Sequence, residues 1–182
     1  MIIQLPIQKV LTSAKIEIDW MRDGEKEAVR NILNAVIQEG KTYPQEKPVS
    51  ESEFAAYWLR SDAFVARLID DKKTSAPGEV VGAFYLKPNF PGRCSHICNA
   101  GFIVQRGQRG QGIGRGMGEA MLEIAASRGY QGVMFNLVFE TNTQKLNLWQ
   151  SLGFQTIGRI PKAARLADEQ VVDALMLYRS LP

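Results

Sequence analysis

Arg109-Gly110-Gln111-Gly112-Ile113-Gly114-Arg115-Gly116-Met117-Gly118 follows a β-prone run at 95–104 and opens a segment of helical periodicity that closes near Arg128-Gly129. A glycine-rich turn from strand to helix is an anion site in its elementary chemistry. The first N–H groups of a helix have no partner within it, and they carry the positive end of its dipole. Glycines let that backbone come close to a phosphate, and Arg109 and Arg115 add formal charge. A diphosphate suits the loop. Two other phosphate loops do not fit. The dinucleotide pattern G-x-G-x-x-G needs a third glycine where Arg115 or Met117 stands, and no acidic residue follows at the required distance. Gly40-Lys41-Thr42 ends like a Walker loop, but Ala35 replaces its first glycine and the segment closes a helix.

Working outward, Lys15 to Trp20 alternates polar and apolar residues, as a strand does. The first 14 residues are read as an N-terminal arm. Asp23 is placed to cap a helix that carries Ala28, Val29, Ile32, Leu33, Val36 and Ile37 on one face and stops at Gly40. Ser50 and Glu53 form a capping box before a second helix with Phe54, Tyr57, Trp58 and Leu59. Phe64 to Ile69 and Val80 to Leu86 read as strands of a hairpin whose connection contains Pro77-Gly78. Ser95 to Val104 is a further strand, then the glycine-led helix, whose Met117, Met121 and Leu122 stripe is core. Val133 to Phe139 gives a strand, Asn142 to Leu152 a helix, and two short strands around Gly158 and Leu175 finish the chain. The order predicts a mixed α/β fold in one domain, 1–182, without repeats or linkers.

The chain has 182 residues, 45% of them hydrophobic, and a net charge of +3. That balance suits a globular domain and predicts no nucleic-acid partner. No apolar run approaches the roughly 20 residues of a membrane span, and Met1 to Pro6 lacks the marks of a signal peptide, so a cytoplasmic protein with no membrane partner is expected. Cys94 and Cys98 flank His96. On a strand they stand about 13 Å apart, too far to share an ion that binds thiolates at about 2.3 Å. No metal site is expected.

The segment Arg109-x-x-Gly112-x-Gly114 resembles the [QR]-x-x-G-x-[GA] pattern of the GNAT family, the Gcn5-related N-acetyltransferases. Asn142-x-x-Lys145-x-x-Leu148-Trp149-x-x-Leu152-Gly153-Phe154 resembles the family's later helix, N-x-x-A-x-x-L-Y-x-x-x-G-F, and the element order agrees from about Lys15 to Leu181. The resemblance implies a mostly antiparallel twisted sheet, splayed between its fourth and fifth strands and flanked by helices. It implies acetyl-CoA as cosubstrate, held by Phe102, Ile103, Val104, Arg109, Gly110, Gln111, Gly112, Ile113, Gly114, Arg115, Asn142 and Lys145. A backbone N–H near Ile103 would polarise the acetyl carbonyl. A homodimer is compatible with the family. Trp149 departs from the pattern: it replaces the tyrosine often assigned to protonate the leaving thiolate, and indole is no acid at neutral pH. Lys145 stands where alanine is common and is read either as a phosphate contact or as a solvated side chain.

Phe84 to Phe90, Ser95 to Phe102 and Phe135 to Phe139 are similar to the fungal acetyltransferases that act on L-azetidine-2-carboxylate and related proline analogues. This resemblance implies that Asn99 and the backbone of Asn136 and Leu137 receive a substrate carboxylate and that Asn142 assists acetyl transfer, making Asn99 and Asn142 the catalytic candidates. An amide donates to a carboxylate or oxyanion without titrating, although Asn142 at a helix start also fits a plain N-cap. Tyr43 is a candidate wall of the acceptor pocket, and the candidate bases are the side chains of His96 and Glu140 or water held by asparagines. The acceptor implied is a small amine or imino acid. The alternatives are a protein or peptide N-acetyltransferase, which needs an open acidic groove, and a module that binds acetyl-CoA without turnover.

Overall fold

The computed structural model describes residues 3–69 and 78–182. Its strands are β1 (Ile7–Val10), β2 (Lys15–Trp20), β3 (Asp62–Leu68), β4 (Val80–Pro88), β5 (Ile97–Val104), β6 (Gly132–Phe139), β7 (Gln155–Arg165) and β8 (Val171–Ser180). They form one open sheet in the order β1-β2-β3-β4-β5-β6-β8-β7. Every neighbouring pair is antiparallel except β5 and β6. The helices are α1 (Lys26–Gln38), α2 (Glu51–Tyr57), α3 (Ile113–Ser127) and α4 (Thr143–Ser151).

The pleat sorts side chains to two cores, because neighbours along a strand face opposite ways. Val65, Ala83, Tyr85 and Ile103 lie under α1 and α2 with Leu33, Val36, Phe54 and Trp58. Phe64, Ala66, Phe84 and Phe102 lie on the other face with Met117, Met121, Leu146 and Trp149 of α3 and α4. Central strands buried on both faces read as continuous apolar runs, as Val81 to Leu86 does.

Several elements differ from expectation. The arm contains β1, an edge strand whose Lys9 reaches Glu123 of α3 at 2.7 Å. A 3-10 turn at Asp23–Glu25 precedes α1, and Ala28 is exposed. Gly92–Cys94 forms another such turn, so β5 begins at Ile97 and Cys94 lies outside it. The last two strands are long, 11 and 10 residues, and pair closely with each other. β3 and β4 pair antiparallel as the hairpin requires, while Pro77 lies outside the described residues.

β5 and β6 pair only through Ile97 with Gly132 and Cys98 with Val133. Beyond that point they separate. The gap is the expected splay, between the fourth and fifth of the predicted strands, which the added β1 makes β5 and β6.

Candidate active site

Two chambers meet at the gap. One, of about 400 Å³, runs from β5 to the start of α3 and is lined by Val104, Arg109, Gly110, Gly112, Gly114 and Arg115 among others. The second, of about 300 Å³, lies under the α1–α2 connection and reaches Tyr43, Tyr57, Tyr85, Lys87, Asn99 and Asn136. Thr42, Phe102, Asn142, Lys145 and Trp149 line both.

The α3 end is built for an anion. Gly110 has φ +79° and Gly112 φ +87°, the left-handed region that glycine enters without strain. The first hydrogen bond inside the helix runs from Gly116 N–H to the Gly112 carbonyl, so the amides of Ile113, Gly114 and Arg115 have no helical partner. No carboxylate stands in that first turn. Arg115 is held by Glu119 at 3.1 Å and Ser151 at 2.9 Å. Arg109 lines the chamber, but its guanidinium is paired with Glu39 at 2.8 Å and also donates to the Val104 carbonyl. Gln111 does not line it; its amide folds back on Gln108 at 3.1 Å.

On β5 the pleat decides which main-chain groups face the gap. Gln105 N–H donates to Val81 of β4, and odd-numbered neighbours point the same way. The Phe102 and Val104 carbonyls instead accept from Lys145 and Arg109. The edge offered to a ligand is therefore that of Phe102 and Val104, and the Ile103 amide points to β4. On β6 the pairing with β8 slips between Phe135 and Val138, a bulge at Asn136 and Leu137 that leaves these two residues unpaired with β8.

The predicted asparagines converge here with local partners. Asn99 donates from its side chain to the Met134 carbonyl at 3.0 Å, across the gap. Asn136 donates to Asn89 Oδ1 at 2.7 Å. Asn142 caps α4, its Oδ1 accepting from Lys145 N–H at 3.4 Å. Tyr43 donates to the Phe102 carbonyl at 3.5 Å, and burial pushes its phenol well above the ordinary range. Lys145 is half-buried, not solvated. Its ammonium donates to the same carbonyl at 3.4 Å and lies 5.9 Å from the centre of the Tyr43 ring. Burial first, then Arg109, lower its pKa to about 8.

Residues 28–154 match the Acetyltransferase (GNAT) family. The N-acetyltransferase aca1 of Schizosaccharomyces pombe is 36% identical over 161 residues, covering 82% of this chain and 77% of that one. The chain belongs to the GNAT family. A GCN5-related N-acetyltransferase from Kribbella flavida superposes with a TM-score of 0.82 at 29% identity, covering 91% of this chain and 98% of the other. A phosphinothricin acetyltransferase of that superfamily from Sinorhizobium meliloti, in complex with AcCoA, shares the fold at 18% identity and TM-score 0.79, over 91% and 88% of the two chains.

This GNAT enzyme, an N-acetyltransferase, carries site features that the sequence reading missed. Tyr85 and Lys87 alternate along β4, Asn89 continues the period just past its end, and all line the second chamber, with Lys87 opposite Asn99 and Tyr85 opposite Gly101 on β5. Period two starting at Tyr85 was the available signal. A Cβ on Gly101 would stand 2.4 Å from the Tyr85 ring, so glycine lets that ring lie across β5. Lys87 sits 5.1 Å from the centre of the Tyr85 ring and 5.8 Å from that of Tyr57. Among the described residues it has no carboxylate partner. The two candidate bases lie elsewhere: His96 is exposed outside the chamber, and Glu140 is paired with Arg159. Trp149 is buried between Phe102 and Phe135, with ring centres at 4.9 and 4.6 Å, and fills the base of the gap.

Proposed function

We propose that the chain, acting as one N-acetyltransferase domain over residues 1–182, transfers acetyl from acetyl-CoA to the nitrogen of a small amine or imino acid bearing a carboxylate. Transfer is direct, in a ternary complex. The observation that carries this reading is the meeting of two chambers at the gap between β5 and β6, one floored by an uncapped helix N-terminus and the other lined by lysines and amides.

Acetyl-CoA supplies an activated acyl carbon as its thioester. The amides of Gly112 to Arg115 hold the diphosphate, with Gly110 giving the backbone room to turn. The free edge of Phe102 and Val104 aligns the pantetheine arm, and an amide of that edge polarises the acetyl carbonyl. Arg109 acts through its tie to Glu39 by fixing the loop. Asn142 presents its remaining amide hydrogens to the junction while its oxygen caps α4. Asn99, Asn136 and the bulge at Leu137 receive the acceptor, and Tyr43 covers it.

The acceptor chamber favours an anion over a cationic peptide. Among the described residues that line it, none is Asp, Glu or His, whereas Lys87 and Lys145 both are present. A lysine side chain or a free peptide N-terminus meets like charge there. This also supports the narrower likeness to enzymes of proline analogues.

The test is thiol release from acetyl-CoA with a panel of acceptors. Azetidine-2-carboxylate and hydroxyprolines are expected to outperform lysine peptides and amines that lack a carboxylate. Faster turnover of peptides overturns the acceptor assignment. Binding of acetyl-CoA without turnover of any acceptor overturns the enzymatic reading in favour of a binding module.

A further inference from the structure

Direct transfer between nitrogen and sulfur has to move one proton, and among the described residues that line the two chambers none is a carboxylate or an imidazole. His96 is exposed outside the acceptor chamber and Glu140 is paired with Arg159. Burial raises the Tyr43 and Tyr85 phenols above their ordinary range, which makes them poor acids and leaves them un-ionised. Trp149 holds its indole in the core and has no titrating group. Lys87 lines the acceptor chamber only. Lys145 lines both.

Resting on the reading given under Proposed function, we infer that Lys145 is the proton carrier of this reaction. An acceptor arrives as the free amine and its nitrogen bonds to the acetyl carbon. Unprotonated Lys145 Nζ takes the hydrogen that the nitrogen then sheds. It gives that proton to the sulfur as the carbon–sulfur bond breaks, so the amide and the free thiol form and Lys145 returns to its starting state. No other co-reactant is required.

Three observations make the position suitable. Lys145 is on the first turn of α4, one turn before Trp149, so both side chains lie on one face over the gap. Its only hydrogen-bond acceptor among the described residues is the Phe102 carbonyl at 3.4 Å, and no carboxylate pins it in the charged form. Among the described residues that line the two chambers, the charged and titrating groups around it are Tyr43 from the loop after α1, Tyr57 from α2, Tyr85 and Lys87 from β4, Arg115 from the first turn of α3, and Arg109 ahead of α3, itself paired with Glu39 just past α1. This surround favours the neutral amine. Its resulting pKa of about 8 lies close to that of an ordinary thiol, which suits a group that must both take and give a proton.

The test begins with the unmodified protein and azetidine-2-carboxylate. If neither this nor any other carboxylate-bearing amine is turned over, the reading of the acceptor fails before Lys145 is reached. Where turnover is found, kcat at saturation is followed from pH 6 to 10 with two acceptors of different basicity. A loss of rate below about pH 8, at the same pH for both acceptors, is expected. Lys145→Met should lower kcat by about 100-fold or more and abolish that limb, with acetyl-CoA binding by calorimetry kept. Lys145→Arg should be equally slow, because guanidinium keeps its proton. In a Cys94→Ser background, Lys145→Cys alkylated with 2-bromoethylamine restores a side-chain amine of lower basicity, and rate should return with the limb at lower pH. Without any substrate, NMR titration of the Lys145 ε-methylene should show a midpoint near pH 8. The inference is overturned if folded Lys145→Met keeps kcat and its limb, if the limb follows the acceptor's basicity, or if the free protein's lysine titrates near its ordinary value of about 10.4.

Discussion

The Asn99 side chain and the Met134 main chain make the last tie across the sheet before it opens, a 3.0 Å hydrogen bond one residue beyond the paired Cys98 and Val133. The amide bridges β5 and β6 where the ladder between them has ended, on the side of the second chamber. Asn99→Ala leaves the Met134 carbonyl without this donor at a cost of roughly 1 kcal/mol. Melting should drop by about 2–4 °C, the acceptor KM should rise roughly tenfold, and calorimetry with acetyl-CoA should be unchanged. An acceptor KM equal to that of the unmodified protein rejects the role.

Gly112 has φ +87°, and a Cβ added there would meet nothing closer than Leu11 at 3.8 Å. Space is therefore ample and only the backbone conformation objects. Gly112→Ala should cost about 1–2 kcal/mol and weaken acetyl-CoA roughly tenfold as the start of α3 turns away. Gly107→Ala is the control, since its Cβ would meet nothing and its φ is not positive. Equal affinities for both variants in calorimetry would remove the α3 amides from the binding account.

Arg67 is buried beside Glu25 at 2.5 Å, Glu17 at 3.2 Å and Asp19 at 3.5 Å, and also donates to the Trp20 carbonyl. For Glu25, burial favours the neutral acid, but the Arg67 hydrogen bond, the Arg22 N–H and the Arg67 charge together outweigh it and hold the carboxyl below its usual range. A depressed carboxyl contributes stability above its unfolded value, and that contribution disappears as pH falls through the folded one. Arg67→Met should therefore cost about 3–5 kcal/mol near neutrality, with the gap to the unmodified protein closing below about pH 4. Denaturant melts at pH 7 and pH 3.5 check this. A gap that stays constant refutes it.

Lys145 costs stability at neutral pH where Glu25 contributes it, although both pKa values are lowered. Its folded pKa of about 8 is below the ordinary lysine value, so the folded state carries a disfavoured charge below pH 8. Between there and about pH 10.4 the unfolded chain binds more protons, and stability rises with pH. Lys145→Met should raise the melting temperature by about 2–4 °C at pH 7 and by nothing above about pH 10.4. A variant that melts lower at pH 7 contradicts this burial of charge.

The fold was readable because its signals are local. Alternation gave Lys15 to Trp20, the Ser50–Glu53 box marked α2, and glycines marked both ends of α3. β1 escaped because four residues of edge strand carry too little pattern. In the site, Asn99, Asn136, Asn142 and Tyr43, named from the resemblance, line one chamber. Tyr85, Lys87 and Asn89 were passed over because β4 is buried on both faces for most of its length, which hides a polar stripe at its end. Gln111 and Arg109 illustrate the converse. A motif fixes their place in the chain, yet Gln108, on the turn just before Gln111, and Glu39, close to Arg109 only in space, decide where the side chains turn.

The opening between β5 and β6 begins where their main-chain pairing stops, after Cys98 and Val133. One wall of the second chamber is a short pleat of side chains, Tyr85 and Lys87 on β4 and Asn89 just past its end, and β4 pairs with β5 there through main chain. On the proposed reading, a descendant or an engineer can retune the guest by exchanging the side chains of that wall while the main-chain portal is inherited.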